Sequence, residues 1–225
     1  MTEVAPILVR SILSLAAAIA GFALGWWALH PWAMALVRTD QGQTRLAGRV
    51  VTALAAAAAL GLAAWGAGRS PLLPSAIAFA VVGTTLALVD LAEKRIPNQL
   101  LLIGAATVGP LLVAGVVVRW GWLALLGCAI GAGAMFALYL LMALIDGRAM
   151  GMGDVKLALL VGAMLGPHGL SVWLIGLLAT FVIGAVAAII TLVRRRGRPR
   201  AGIPFGPFMI AGTLLVLAFA PLLVP

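Results

Sequence analysis

Charge is what this chain lacks most. Only 9% of its residues are Asp, Glu, Lys or Arg, whereas a soluble globular domain carries about 25%, so an ordinary water-solvated domain is excluded. Metal-ligating side chains are equally scarce, with one cysteine and two histidines in 225 residues. Cys128 falls inside an apolar run, where it reads as a small buried apolar residue and not as a ligand. There is no alternating strand pattern, heptad array or low-complexity tail, which leaves helices as the only regular element the sequence specifies.

What fills the chain is apolar: 64% hydrophobic residues and a mean hydropathy of +1.19. A helix crossing about 30 Å of hydrocarbon needs roughly 20 apolar residues, and such segments recur. Eight are predicted, at Ile7–Leu29, Val50–Ala67, Leu72–Leu91, Leu100–Val118, Trp122–Ile145, Val155–Leu165, Leu170–Val193 and Phe208–Val224. Ile7–Leu29 resembles a signal peptide, but Glu3 accompanies Arg10 and seven more segments follow, so it is read as a retained first helix. The expectation is an all-α, polytopic membrane bundle forming one domain over 1–225. Its Ala/Gly-rich spans suit close helix packing in lipid. Trp26, Trp27, Trp120 and Trp122 fall near span ends, as an aromatic belt requires.

Placement explains the net charge of +9. With both termini outside, the loops at 30–49, 92–99, 146–156 and 194–207 share one side. They hold Arg38, Arg45, Arg49, Lys94, Arg95, Arg148, Lys156, Arg194, Arg195, Arg196, Arg198 and Arg200, while the other side keeps Arg10, Arg69 and Arg119. That bias assigns the basic side to the cytoplasm. The run "RRRGRPR" then serves as a topology determinant at anionic headgroups, and no nucleic-acid partner is implied. The same count puts His30 and His168 on opposite faces, where they cannot share a metal. Ser171 lies near His168, but the only external acid is the distant Glu3, which argues against a Ser-His-acid hydrolase.

Six acidic residues remain, and five of them, Asp40, Asp90, Glu93, Asp146 and Asp154, fall at or near the cytoplasmic side. Asp90 ends the apolar run "IAFAVVGTTLALVD", and Asp154 opens "VKLALLVGAML". From Asp154 to the break at "GPHG" a helix would rise about 18 Å of a roughly 30 Å core, which places the carboxylate below the headgroups. Carboxylates at that depth mark functional sites. Two crossings separate Asp90 from Asp154, so both return to one face and can meet; "IPFGP" at 203–207 lands there too. By itself "GMGD" can be no more than a helix start. A second carboxylate at matched depth adds more, since two adjacent carboxylates retain one proton between them and so supply a base and an acid for attack of water on a peptide bond.

Around that pair, Gly151 and Gly153 are expected to let a substrate backbone approach Asp154. Pro97 and Asn98 are expected to form the turn ending the third apolar segment. Pro204, Gly206 and Pro207 are expected to keep 203–207 from being regular helix, shaping the site without reacting. Lys156, two positions from Asp154, does not face it on a helix; it either snorkels to the headgroups or raises the local positive potential. Glu93 and Asp146 are the acids placed to receive a basic peptide, or are solvated loop charges.

Three blocks, "DLAEKRIPNQL" (90–100), "GMGDVKL" (151–157) and "IPFGP" (203–207), resemble those of the type IV prepilin peptidases, membrane aspartyl proteases of the Gly-x-Gly-Asp class. The resemblance implies catalytic aspartates at Asp90 and Asp154, with no metal or organic cofactor. It implies cleavage of a short basic leader from prepilin-like or pseudopilin-like substrates whose apolar helix then assembles into a fibre, in a type IV pilus or a secretion system. The place would be the inner membrane, with the lipid bilayer as the other partner. The larger members carry a cysteine-containing cytoplasmic insert associated with methylation of the new N-terminus. Here that position holds "HPWAMALVRTDQGQTRLAGR", which implies a peptidase-only form. Two other classes stay open: a presenilin-like protease, although Val89 precedes Asp90 and "PFGP" precedes the last segment, and a small proton-coupled transporter.

Overall fold

A computed structural model of the chain describes residues 4–145, 150–194 and 204–223. Among these residues every regular element is helical. α1 (Val4–Leu24) runs through a π turn at Gly25–Leu29 into α2 (His30–Leu36), giving one continuous apolar stretch over Ile7–Leu36. The segment 30–36, expected as the start of a loop, is thus helix. Pro31 is tolerated because the π turn directly before it changes the bonding register where the missing N–H falls. α3 (Asp40–Arg45) is a short helix whose N-cap Thr39 accepts a bond from the Gly42 amide at 3.0 Å.

α4 (Arg49–Ala67), α5 (Leu73–Glu93), α6 (Asn98–Trp120), α7 (Leu125–Ile145) and α9 (Leu170–Arg194) are long helices. α8 (Met152–Leu165) has 14 residues and α10 (Gly206–Leu223) has 18. Six helical stretches are long and apolar enough to cross a membrane, and α8 and α10 are shorter. The eight apolar segments therefore correspond to six spans and two shorter helices. The chain is a multi-pass helical membrane protein.

α5 is the most enclosed span and α1 the most peripheral. α1 lies on α4, α4 and α6 flank α5, α7 lies on α8, and α10 packs on α4, α5, α8 and α9. The core consists of large side chains such as Phe79, Leu86, Leu100, Met135, Leu157 and Met209. Outward-facing Ile7, Ile12, Leu15, Ile19, Leu126 and Ile130 are exposed, as a surface solvated by acyl chains requires. Buried Thr84 and Thr213 are satisfied within their own helices, donating to the carbonyls of Ala80 and Met209 at 2.7 Å.

α7 and α8 meet backbone to backbone. A Cβ at Gly131 would lie 2.5 Å from the Gly162 carbonyl oxygen and 2.8 Å from the Gly166 Cα, so no side chain fits there. Trp173 of α9 locks this pair by donating to the Gly131 carbonyl at 3.1 Å. The seam fixes the height of α8, and with it the position of Asp154.

Candidate active site

Asp90 sits one turn before the end of α5 and is 3% exposed. The helix stops because Lys94 adopts a left-handed conformation at φ 55°, its amide closing onto the Asp90 carbonyl at 2.7 Å. Residues 95–97 are not helical, and Pro97 caps α6 with Asn98 as its first residue. Pro97 and Asn98 thus open α6, whereas the expectation had them ending the preceding helix; the stop is Lys94. On α8, Gly151 is the N-cap and Asp154 stands in the first turn, its amide bonded to the Gly151 carbonyl at 3.0 Å.

The two carboxylates meet at the start of α10. The amide of Gly206 donates to Asp90 Oδ2 at 3.1 Å, and the same amide acts on Asp154, whose charge in turn reaches Asp90. The N-terminus of a helix presents unpaired N–H groups and positive potential, so it draws carboxylate charge to itself. Asp154 Oδ1 is buried with no hydrogen-bond partner among the described residues, which leaves one acceptor uncommitted.

Ile96 closes the side of this arrangement. A Cβ on Gly153 would lie 2.8 Å from Ile96 Cβ, and one on Gly206 would lie 3.0 Å from Ile96 Cδ1 and 2.9 Å from Asp90 Oδ2. Both glycines therefore admit Ile96 between α8 and α10, a packing use beyond the expected room for substrate. Gly151 is exposed, with the Asp154 carboxylate 3.5 Å from the place its Cβ would take. Pro204 precedes α10, while Pro207 lies in its first turn, so the expected irregular stretch is shorter than 203–207.

The remaining residues divide. Lys156 donates to Asn98 Oδ1 at 2.9 Å, tying α8 to the start of α6 on a face away from the aspartates. The Glu93 side chain is 3% exposed. It accepts from the amides of Arg38 and Thr39, the latter at 3.0 Å, and pairs with Arg95, so it pins 38–39 to the end of α5. Asp146 lies outside the described residues, as do Arg148 and the basic run from 195 onward. Tyr139 had no place in the sequence reading. It is 1% exposed, packs with Phe181 and Phe205 at ring separations of 6.1 and 6.0 Å, and lies within electrostatic reach of Asp154. The one available signal was that it is the only tyrosine in the chain.

Fold and site together define a class: a multi-pass helical membrane protein that gathers two carboxylates at one end of its bundle beneath a helix N-terminus. The chain belongs to the type IV leader peptidase family, whose model matches residues 77–190, about half of it and inclusive of both aspartates. The prepilin leader peptidase/N-methyltransferase of Stutzerimonas stutzeri is 31% identical over 140 residues, and that of Aeromonas salmonicida (strain A449) is 34% identical over 140 residues. Each match covers 59% of this chain and 45% of the relative, so the chain spans less than half the length of these relatives. No solved structure matches.

Proposed function

We propose that this chain is a membrane-embedded aspartyl endopeptidase that removes the basic leader from type IV prepilin-like or pseudopilin-like proteins, with Asp90 and Asp154 as its catalytic pair. The observation that carries the reading is the convergence of two carboxylates at the start of α10, where the Gly206 amide donates to Asp90 and Asp154 lies within electrostatic reach. Two such groups hold a single proton between them. The ionised member takes a proton from water, and the water oxygen bonds to the scissile carbonyl carbon. The protonated member gives its proton to the carbonyl oxygen, which yields a tetrahedral diol. On collapse the C–N bond breaks: the member that took the water proton gives it to the leaving nitrogen, the other takes the proton of a diol hydroxyl as the C=O bond re-forms, and the pair returns to its starting state.

The pair is proposed to face the cytoplasm of a bacterial inner membrane, in keeping with the Lys/Arg bias of the loops on that side. A basic leader would be held there and the apolar helix of the substrate would stay in the bilayer. Methyl transfer, named for the relatives, is not proposed: the stretch between α1 and α4 forms short helices pinned by Glu93 and contains no cysteine. The test is co-expression with a prepilin-like protein bearing a basic leader. The product should migrate faster by the size of the leader and gain no methyl group at its new N-terminus. Unchanged mobility across prepilin-like substrates, with the enzyme folded in the membrane, would refute the activity.

A further inference from the structure

The end of the bundle remote from the aspartates holds a cavity of about 470 Å³, within the range of small-molecule sites. Ser75 lines it and is fifteen positions before Asp90 on α5, about 22 Å along the helix. Basic residues are scarce at this end, where Arg10, Arg69 and Arg119 fall among the described residues, yet two of the three, Arg10 and Arg119, line this one cavity. Among the described residues no acidic side chain lines it and neither arginine forms an ion pair.

Each guanidinium lies beside a defined neighbour. Arg10 lies against Gly68, where a Cβ would be 3.4 Å from its Nε and where φ is +54°. Arg119 stands 5.5 Å from the ring centroid of Trp120, and Trp120 meets His168 edge to face at 5.2 Å. Burial, with Arg119 beside it, pushes His168 down to about 4 from an ordinary 6.5. His168 is thus neutral near pH 7 and can donate a hydrogen bond without adding charge. Below these polar groups the wall is apolar, built from Leu112, Met164, Leu214 and Leu217. Two cations above an apolar trough match an amphiphile with an anionic head.

We propose that this cavity binds a membrane phospholipid, its phosphate held between Arg10 and Arg119 and one acyl chain lying against Leu112, Leu214 and Leu217. The bound lipid joins α1 to α6, helices whose main packing partners are α4 and α5 respectively. This inference is independent of the chemistry at Asp90 and Asp154.

The test is native mass spectrometry of the delipidated full chain with phosphatidylglycerol, phosphatidylcholine or inorganic phosphate added back. Wild type should retain one phosphatidylglycerol, with at least about tenfold preference over phosphatidylcholine, whose choline competes for the phosphate charge. The Arg10→Gln/Arg119→Gln double variant should lose at least about tenfold in that affinity. Ala67→Leu, which fills the cavity with both arginines intact, should do the same, whereas Arg69→Gln should bind as wild type. Lipid-free thermal unfolding shows that each variant is folded. Equal binding of the two lipids, wild-type affinity in the folded double variant, or displacement of the lipid by inorganic phosphate alone would each overturn the proposal.

Discussion

Gly206→Ala is the most informative small change, because it adds one methyl group at the point where both carboxylates converge. The new Cβ would lie 2.9 Å from Asp90 Oδ2 and 3.0 Å from Ile96 Cδ1. Carbon and oxygen in ordinary contact stay about 3.3–3.6 Å apart, so the carboxylate must retreat by about half an ångström. The Gly206 amide bond, 3.1 Å in the wild type, then lengthens beyond useful hydrogen-bond geometry. A hydrogen bond to a charged group contributes about 1.5–3 kcal/mol, which corresponds to about 10- to 150-fold in rate. The loss should fall on kcat and leave KM near wild type, since a leader does not need this amide in order to bind. Backbone strain does not interfere: Gly206 has no positive φ, and alanine favours the helix it opens. The assay is cleavage of a synthetic substrate that joins a basic leader to an apolar helix, together with thermal unfolding. Unimpaired turnover by a folded Gly206→Ala protein would show that the amide does not organise the pair.

Three further outcomes follow from other contacts. Gly162→Ala places a methyl group inside the van der Waals envelope of the Gly131 carbonyl oxygen and 2.8 Å from Met135 Cβ; it should cost about 1–3 kcal/mol in an unfolding experiment and reduce cleavage by shifting α8. Glu93→Ala leaves the exposed amides of Arg38 and Thr39 to water and should cost about 0.5–1.5 kcal/mol, whereas unchanged stability with a raised KM for basic leaders would assign Glu93 to leader binding. His168 stays neutral in the fold to about 4 and protonates from 6.5 when unfolded. Below 6.5 the unfolded chain therefore binds more protons, and stability should fall as pH drops from 6.5 toward 4; thermal unfolding of His168→Gln should lose that part of the pH dependence.

The aspartates were legible because hydrocarbon makes them conspicuous: a carboxylate at the edge of an apolar run has few bland explanations. Counting crossings put them on one face, since parity needs only the number of spans between two residues. The partners of these groups were not legible. Nothing in "IPFGP" indicates that the Gly206 amide meets Asp90, because a backbone donor acquires its role from where α10 begins and what packs there. Glu93 read as a loop charge for the same reason, as its acceptors are satisfied by residues more than fifty positions earlier. Residues 30–36 fell in an expected loop, yet the π turn before them lets the helix continue. Lys94 stops α5 in a conformation that a lysine seldom adopts, so Pro97 attracted the stop instead.

The central claim is that Asp90 and Asp154 act as one proton-sharing pair. It is tested most directly by Asp90→Asn and Asp154→Asn, each purified and assayed on the leader-and-helix substrate beside the wild type. Asparagine keeps the shape of the side chain and the acceptor for the Gly206 amide but cannot take or give the proton. Each single variant should stay folded and cleave nothing measurable, and the double variant should be no worse than either, as expected for groups that work as a unit. Substantial cleavage by either folded asparagine variant would contradict the account.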